Sequence, residues 1–135
     1  MTAYQYLDIE WVLAAHEVLL RRYWGLEGGG HRGSAFEGVE AAVLAVENSY
    51  YDDVYELAAA YAVYIVQGHV FLDGNKRAAS AAMLEFLRLN GKRPRISTPG
   101  LVSTMLKLQS MFEDGASAGT LIAWVASRLR GAKVV

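Results

Sequence analysis

Nine consecutive residues, His69-Val70-Phe71-Leu72-Asp73-Gly74-Asn75-Lys76-Arg77, gather an imidazole, a carboxylate, an amide and two cations around one glycine. An apolar segment ends near Gly68 and an alanine-rich one begins near Asn75, so the stretch reads as a tight loop feeding a helix N-terminus. Such an end presents backbone N–H groups and a partial positive charge, which together attract anions. Gly74 lacks the side chain that would hold a phosphate away from the backbone. Lys76 and Arg77 stand where the helix dipole favours anions over cations, a mismatch that a bound polyanion removes. Asp73 beside an anion site calls for a bridging cation, and Mg²⁺ does this with one or two carboxylates plus substrate phosphates. Asn75 can donate to a phosphate oxygen, and His69 titrates near neutrality, so it can take a proton from an attacking hydroxyl. Val70 and Phe71 anchor the loop in the core. Anion cradle, metal, base and positioning are the parts that phosphoryl transfer requires. A turn and helix cap would account for Asp73-Gly74-Asn75 alone, but not for the cations that follow.

The elements that must hold this loop read as helices. Ile9, Val12, Leu13, His16, Leu19, Leu20 and Tyr23 follow a 3.6-residue stripe that ends before Gly25. Ser34 with Glu37 reads as a capping box, and Asp53 with Glu56 as a looser one. The segment Val54–Gln67 is apolar on most faces, which predicts a central helix. The helix from Asn75 to Leu89 stops at Asn90-Gly91, Thr98-Pro99 caps a helix over Gly100–Glu113, and Ser117 caps a last one through Leu129. Period-two alternation is nearly absent. The expectation is one all-α domain over residues 1–135, a bundle of about six helices.

Composition narrows the function. Apolar residues make up 53% of the 135, enough for a substantial core, and the formal charge is −1, so no global field points to nucleic acid or an anionic membrane as partner. Cysteine is absent, which excludes disulfides and thiolate metal sites and fits a reducing cytoplasm. No basic-then-apolar leader opens the chain, and its longest apolar stretch, Leu57 to Val66, is about half the ~20 residues of a membrane span. Other motifs fail. Gly28, Gly30 and Gly33 have dinucleotide-loop spacing but follow a helix instead of a strand. His16-Glu17 opens like a zinc-protease helix, but Leu20 occupies the second ligand position, leaving His16 as a core or boundary residue. His31 reads as a solvated loop residue. Arg88, Lys92, Arg93 and Arg95 read as a solvated helix end; without a base-reading element, direct nucleic-acid binding is not expected.

The stretch from His69 to Arg77 resembles the signature of the Fic/Doc family, H-x-F-x-[DE]-G-N-x-R. Lys76 and the following "RAASAAMLEFLRLNG" are similar to the Doc branch, as are "DVYELAAAYAVYIVQGH" and the opening "YLDIEWVLAAHEVLL". The resemblance implies an all-α fold and an ATP- and Mg²⁺-dependent protein kinase toxin. Its implied target is a threonine of elongation factor Tu, whose phosphorylation arrests translation. His69 would be the base, Asp73 would hold Mg²⁺ or position phosphates, and Gly74, Asn75, Lys76 and Arg77 would line the nucleotide site. AMP-transferring Fic enzymes would carry glycine at Lys76 and a second arginine at Ser80; both departures run toward Doc. An AMP-transferase and a non-catalytic nucleotide-binding module are the alternatives. The Doc loop after the first helix usually carries Arg-Asp; here Arg32 matches the arginine but Gly33 takes the aspartate position. By its place before the motif helix, the loop "ENSYYDD" is expected to dock the target as an added strand, with Ser49, Tyr50 and Tyr51 at its centre. The self-inhibitory pattern [ST]-x-x-x-E-[GN] is absent from the chain. Inhibition is therefore expected in trans from a Phd-like antitoxin, in an apolar groove between the first helix and the last two, with Trp11 and Trp124 as anchors.

Overall fold

The computed structural model describes residues 3–24, 35–68 and 74–131, and within them every regular element is a helix. In chain order these are α1 (Ile9–Trp24), α2 (Ala35–Glu47), α3 (Val54–Gly68), α4 (Asn75–Leu89), α5 (Thr98–Glu113) and α6 (Ala118–Gly131). None is long and apolar enough to cross a membrane among the described residues.

The core organises around α3. Every residue from Leu57 to Val63 is buried, and α3 packs against α2, α4, α5 and α6. Its most extensive contact is with α4. Both helices bury small side chains, Ala58, Ala59, Ala60 and Ala62 on α3 and Ala78, Ala79 and Ala82 on α4, which lets backbones approach closely. α1 lies against α2 and α4 and buries His16, the residue read from sequence as a core or boundary histidine.

Helix ends follow local chemistry. Asp8 Oδ1 accepts the Trp11 N–H at 2.7 Å and so caps α1. Asn90 and Gly91 close α4: Gly91 adopts φ 79°, its N–H bonds the Arg88 carbonyl at 3.1 Å, and the Lys92 N–H reaches back to the Leu87 carbonyl at 2.8 Å. Gly115 (φ 96°) closes α5 in the same way, with Ala116 N–H on the Met111 carbonyl at 3.0 Å. Two boundaries differ from the expectation. Ser97, not Thr98, caps α5, its Oγ accepting the Gly100 N–H at 3.0 Å, so the helix starts at Thr98; proline is tolerated throughout a first turn whose N–H groups lack intrahelical acceptors. α6 continues past Leu129 to Gly131. Ser34 and Gly25 lie outside the described residues.

Asp53 begins α3 as expected, accepting the N–H groups of Tyr55 and Glu56 at 3.0 Å each. It also meets Arg130 of α6 at 2.6 Å, and that guanidinium lies 5.7 Å over the Tyr55 ring. Burial pushes the Asp53 carboxyl up, but the Arg130 hydrogen bond and charge and the two backbone N–H groups outweigh it and hold the carboxyl below its ordinary range. A lowered carboxyl stabilises the fold above its unfolded pKa of about 3.9, and that contribution is lost as pH falls through the folded value. Asp53→Ala should therefore cost about 1 kcal/mol near neutrality in urea unfolding, mostly through the cap. The gap between variant and wild type should shrink toward about pH 2. A gap that is the same at both pH values would remove the charge from this account.

Candidate anion site at the start of α4

α3 and α4 run antiparallel. The Tyr61 ring meets Phe86 at 5.3 Å, and residues Val54, Tyr55 and Glu56 at the start of α3 share a cavity with Asn90 and Lys92 just past the end of α4. The C-terminus of α3 and the N-terminus of α4 accordingly share the opposite end. There the backbone turns through Gly74, whose φ of 79° and ψ of 15° are left-handed, a conformation glycine takes without the clash a Cβ would meet. Gly74 occupies the N-cap of α4, where serine or aspartate would fold a side chain back onto the first-turn N–H groups; here no side-chain cap is made. The first turn contains no acidic residue. It contains Asn75, Lys76 and Arg77, of which Arg77 is exposed and the other two half-buried.

Two side chains define this turn further. Lys76 Nζ donates to Gln109 Oε1 of α5 at 2.7 Å, which ties the α4 start to a neighbouring helix. Ser80 Oγ donates to the Lys76 carbonyl at 3.0 Å, one turn back, so its hydroxyl is engaged with α4's own backbone. A positive turn on a helix N-terminus with a glycine at its cap can hold a phosphate chain.

The fold thus brings Gly74, Asn75, Lys76 and Arg77 onto one turn. His69, Phe71 and Asp73, together with Arg32 and Gly33, lie outside the described residues. Among the described residues no group of three or more His, Asp or Glu side chains is placed to hold a metal ion.

Ser49, Tyr50 and Tyr51 stand elsewhere. They occupy the α2–α3 loop, at the N-terminal end of α3, and the 15 residues of that helix span about 22 Å. The fold does not bring them to the α4 start. Ser49 Oγ bonds the Val46 carbonyl at 2.8 Å, Tyr50 is fully exposed, and Tyr51 is half-buried. Tyr50 and Tyr51 line an open cavity of about 810 Å³ whose walls also carry Tyr4, Tyr55, Asp52, Asp53, Glu56 and Lys92. Trp11 on α1 and Trp124 on α6 are each half-buried against the core. Trp124 is stacked by Arg128 at 5.2 Å.

The turn from Gly74 to Arg77, all of α3 and most of α4 fall inside a family match covering residues 6–87, more than half of the chain, to the Fic/DOC family. The chain belongs to the Fic/DOC family. Among curated proteins, Protein kinase doc of Escherichia phage P1 is 34% identical to it over 87 residues, which cover 64% of this chain and 69% of the relative. The Fic/DOC match runs from just before α1 into the last turn of α4 and so contains the whole 69–77 signature. α5 and α6 lie beyond it. Gln109, the partner of Lys76, therefore comes from outside the Fic/DOC match, and nothing in its sequence surroundings marks it. Arg130 was also silent in the sequence, whereas Asp8, directly before Ile9, carries a recognisable cap signal that the sequence reading passed over.

Proposed function

We propose that this Fic/DOC protein is a Doc-like kinase toxin that moves the γ-phosphate of ATP to a serine or threonine hydroxyl of a protein. The observation that carries this reading is the first turn of α4. Lys76 is anchored there, and Ser80 is bound to backbone where AMP-transferring relatives would carry a second arginine. The name of the phage relative, a protein kinase, agrees with it.

In this reading His69 accepts the hydroxyl proton as the target oxygen bonds to the γ-phosphorus. The bond from that phosphorus to the β–γ bridging oxygen breaks, and ADP leaves with the electron pair. Gly74, Asn75, Lys76 and Arg77 hold the phosphates and balance charge on the transferring group, the main source of catalysis in such reactions. Mg²⁺ suits the donor set, since Asp73 adjoins the phosphate turn and a nucleotide-bound Mg²⁺ needs only one or two carboxylates. When bound, it would neutralise charge on the nucleotide's phosphates. The target in this reading is elongation factor Tu, whose phosphorylation arrests translation. The protein acts in the cytoplasm, restrained by a Phd-like antitoxin whose flexible segment orders on binding.

The test is mass spectrometry of elongation factor Tu incubated with the protein and Mg·ATP. Added phosphate on a hydroxyl supports the proposal. Added AMP replaces it with an AMP-transferase, and an unmodified target removes this substrate. Expression of the chain alone from a tight promoter should arrest bacterial growth, with rescue by a co-expressed antitoxin; harmless expression of the folded chain would sink the toxin reading.

A further inference from the structure

We propose that Gln109 is a positioning residue for the phosphate site, holding the Lys76 ammonium at a fixed place beside the α4 N-terminus. The inference rests on the nucleotide-site reading above and extends it to a helix outside the family match.

Lysine carries its charge as a compact ammonium on a flexible four-carbon stem, so its place is set by what it touches. Lys76 Nζ touches Gln109 Oε1 at 2.7 Å, across 33 residues of sequence. The ammonium has three donors and no acceptor, so the amide must present its oxygen to it. One turn further along α5, Glu113 Oε2 faces Gln109 Nε2 at 3.5 Å. The amide dipole thus lies between a cation at its oxygen end and a carboxylate at its nitrogen end, which fixes its orientation. A neutral acceptor takes one N–H of Lys76 and leaves its full charge and two further N–H groups for a phosphate. A carboxylate at position 109 would neutralise the ammonium and compete with the nucleotide for it. In a reaction that depends on placed charge, a displacement of about 1 Å can cost about 10²-fold, so an anchor of this kind is functionally sensitive.

Calorimetric titration with Mg·ATP tests the assignment on the full chain. The variants are Gln109→Glu, Gln109→Leu and Lys76→Met, and each Gln109 change combined with Lys76→Met. Gln109→Glu should weaken Mg·ATP about tenfold and Gln109→Leu by several-fold, with melting temperatures close to wild type. Gln109→Leu should not weaken binding further once Lys76 is methionine, because the lost anchor then has nothing to hold. A Gln109→Leu effect of the same size with and without Lys76, or no effect of either Gln109 variant, overturns the positioning role. If Gln109→Glu melts early, the neutral Gln109→Leu carries the same comparison. A wild-type chain that binds no Mg·ATP overturns the nucleotide-site reading and this inference with it; binding with additive losses overturns the inference alone.

Discussion

His69→Ala should lower phosphate transfer by about 10²–10⁴-fold, the usual worth of a positioned proton acceptor. It should leave urea unfolding and Mg·ATP binding close to wild type. In the sequence His69 directly follows Gly68, the last residue of α3, whose residues from Leu57 to Val63 are all buried. In the proposed reaction the α4 start, with its glycine cap and two cations, would supply the phosphate side and His69 the hydroxyl side. Single-turnover transfer from labelled ATP measures the effect, and the same substitution should abolish growth arrest on expression. Near-normal transfer by a folded His69→Ala protein would remove the histidine from its role as base. Asn75 and Lys76 would then have to be weighed as carrying the chemistry by charge stabilisation alone.

Phe86→Ala should cost about 3–5 kcal/mol, a large part of the roughly 5–15 kcal/mol that holds a domain together. Phe86 is fully buried near the end of α4, and its ring meets Tyr61 at 5.3 Å, Tyr6 at 5.9 Å and Tyr4 at 6.1 Å. Tyr61 in turn accepts the Leu7 N–H at 3.0 Å, and burial pushes its hydroxyl pKa up, which keeps it protonated. Removing one ring therefore opens a cavity and loosens the segment before α1. Asn90 would still clasp that segment through Gln5, accepting its N–H at 2.9 Å and donating to its carbonyl at 3.0 Å, so the loss should appear as lower stability with the segment retained. Guanidinium unfolding gives the magnitude. A loss under about 1 kcal/mol would mean that neighbouring side chains fill the space, contrary to a rigidly packed interior. Phe86 is 11 residues from Asn75, about 16 Å along the helix, so the folded fraction should bind Mg·ATP normally.

Much of this architecture could be read from residue types because local chemistry decides it. Asp53, Asn90-Gly91 and Ser117 each satisfy helix-end groups with partners within a few residues, and each works as its sequence predicts. Ser97 and Thr98 are adjacent hydroxyls before one proline, and only the backbone path chooses between them. The start of α4, from Gly74 to Arg77, was legible because its members are contiguous. Gln109 was not, since a polar residue on α5 reads as solvated until the fold sets it against a lysine 33 positions away. The loop at Ser49–Tyr51 shows the converse. It adjoins the motif helix in sequence, but a helix has two ends, and the antiparallel pairing of α3 and α4 places that loop at the far one. Order along the chain gives neighbourhood only to within a helix length.

The alanine-rich packing of α3 and α4 reverses the usual asymmetry of mutational tolerance. Most cores are damaged by truncation, because large side chains leave holes. At Ala58, Ala59, Ala60, Ala62, Ala78, Ala79 and Ala82 there is almost nothing to truncate, and each is at most 2% exposed. Added methylenes there force side chains off their rotamers or push the helices apart, typically at about 1–3 kcal/mol each. α4 carries the proposed phosphate turn at one end, so wedging it away from α3 would move Asn75, Lys76 and Arg77 together. In a library of variants selected for activity, these seven positions should admit glycine and serine more readily than valine or leucine. Drift at the centre of this protein would then run toward small residues, and the spacing of one helix pair would be inherited as tightly as the signature residues themselves.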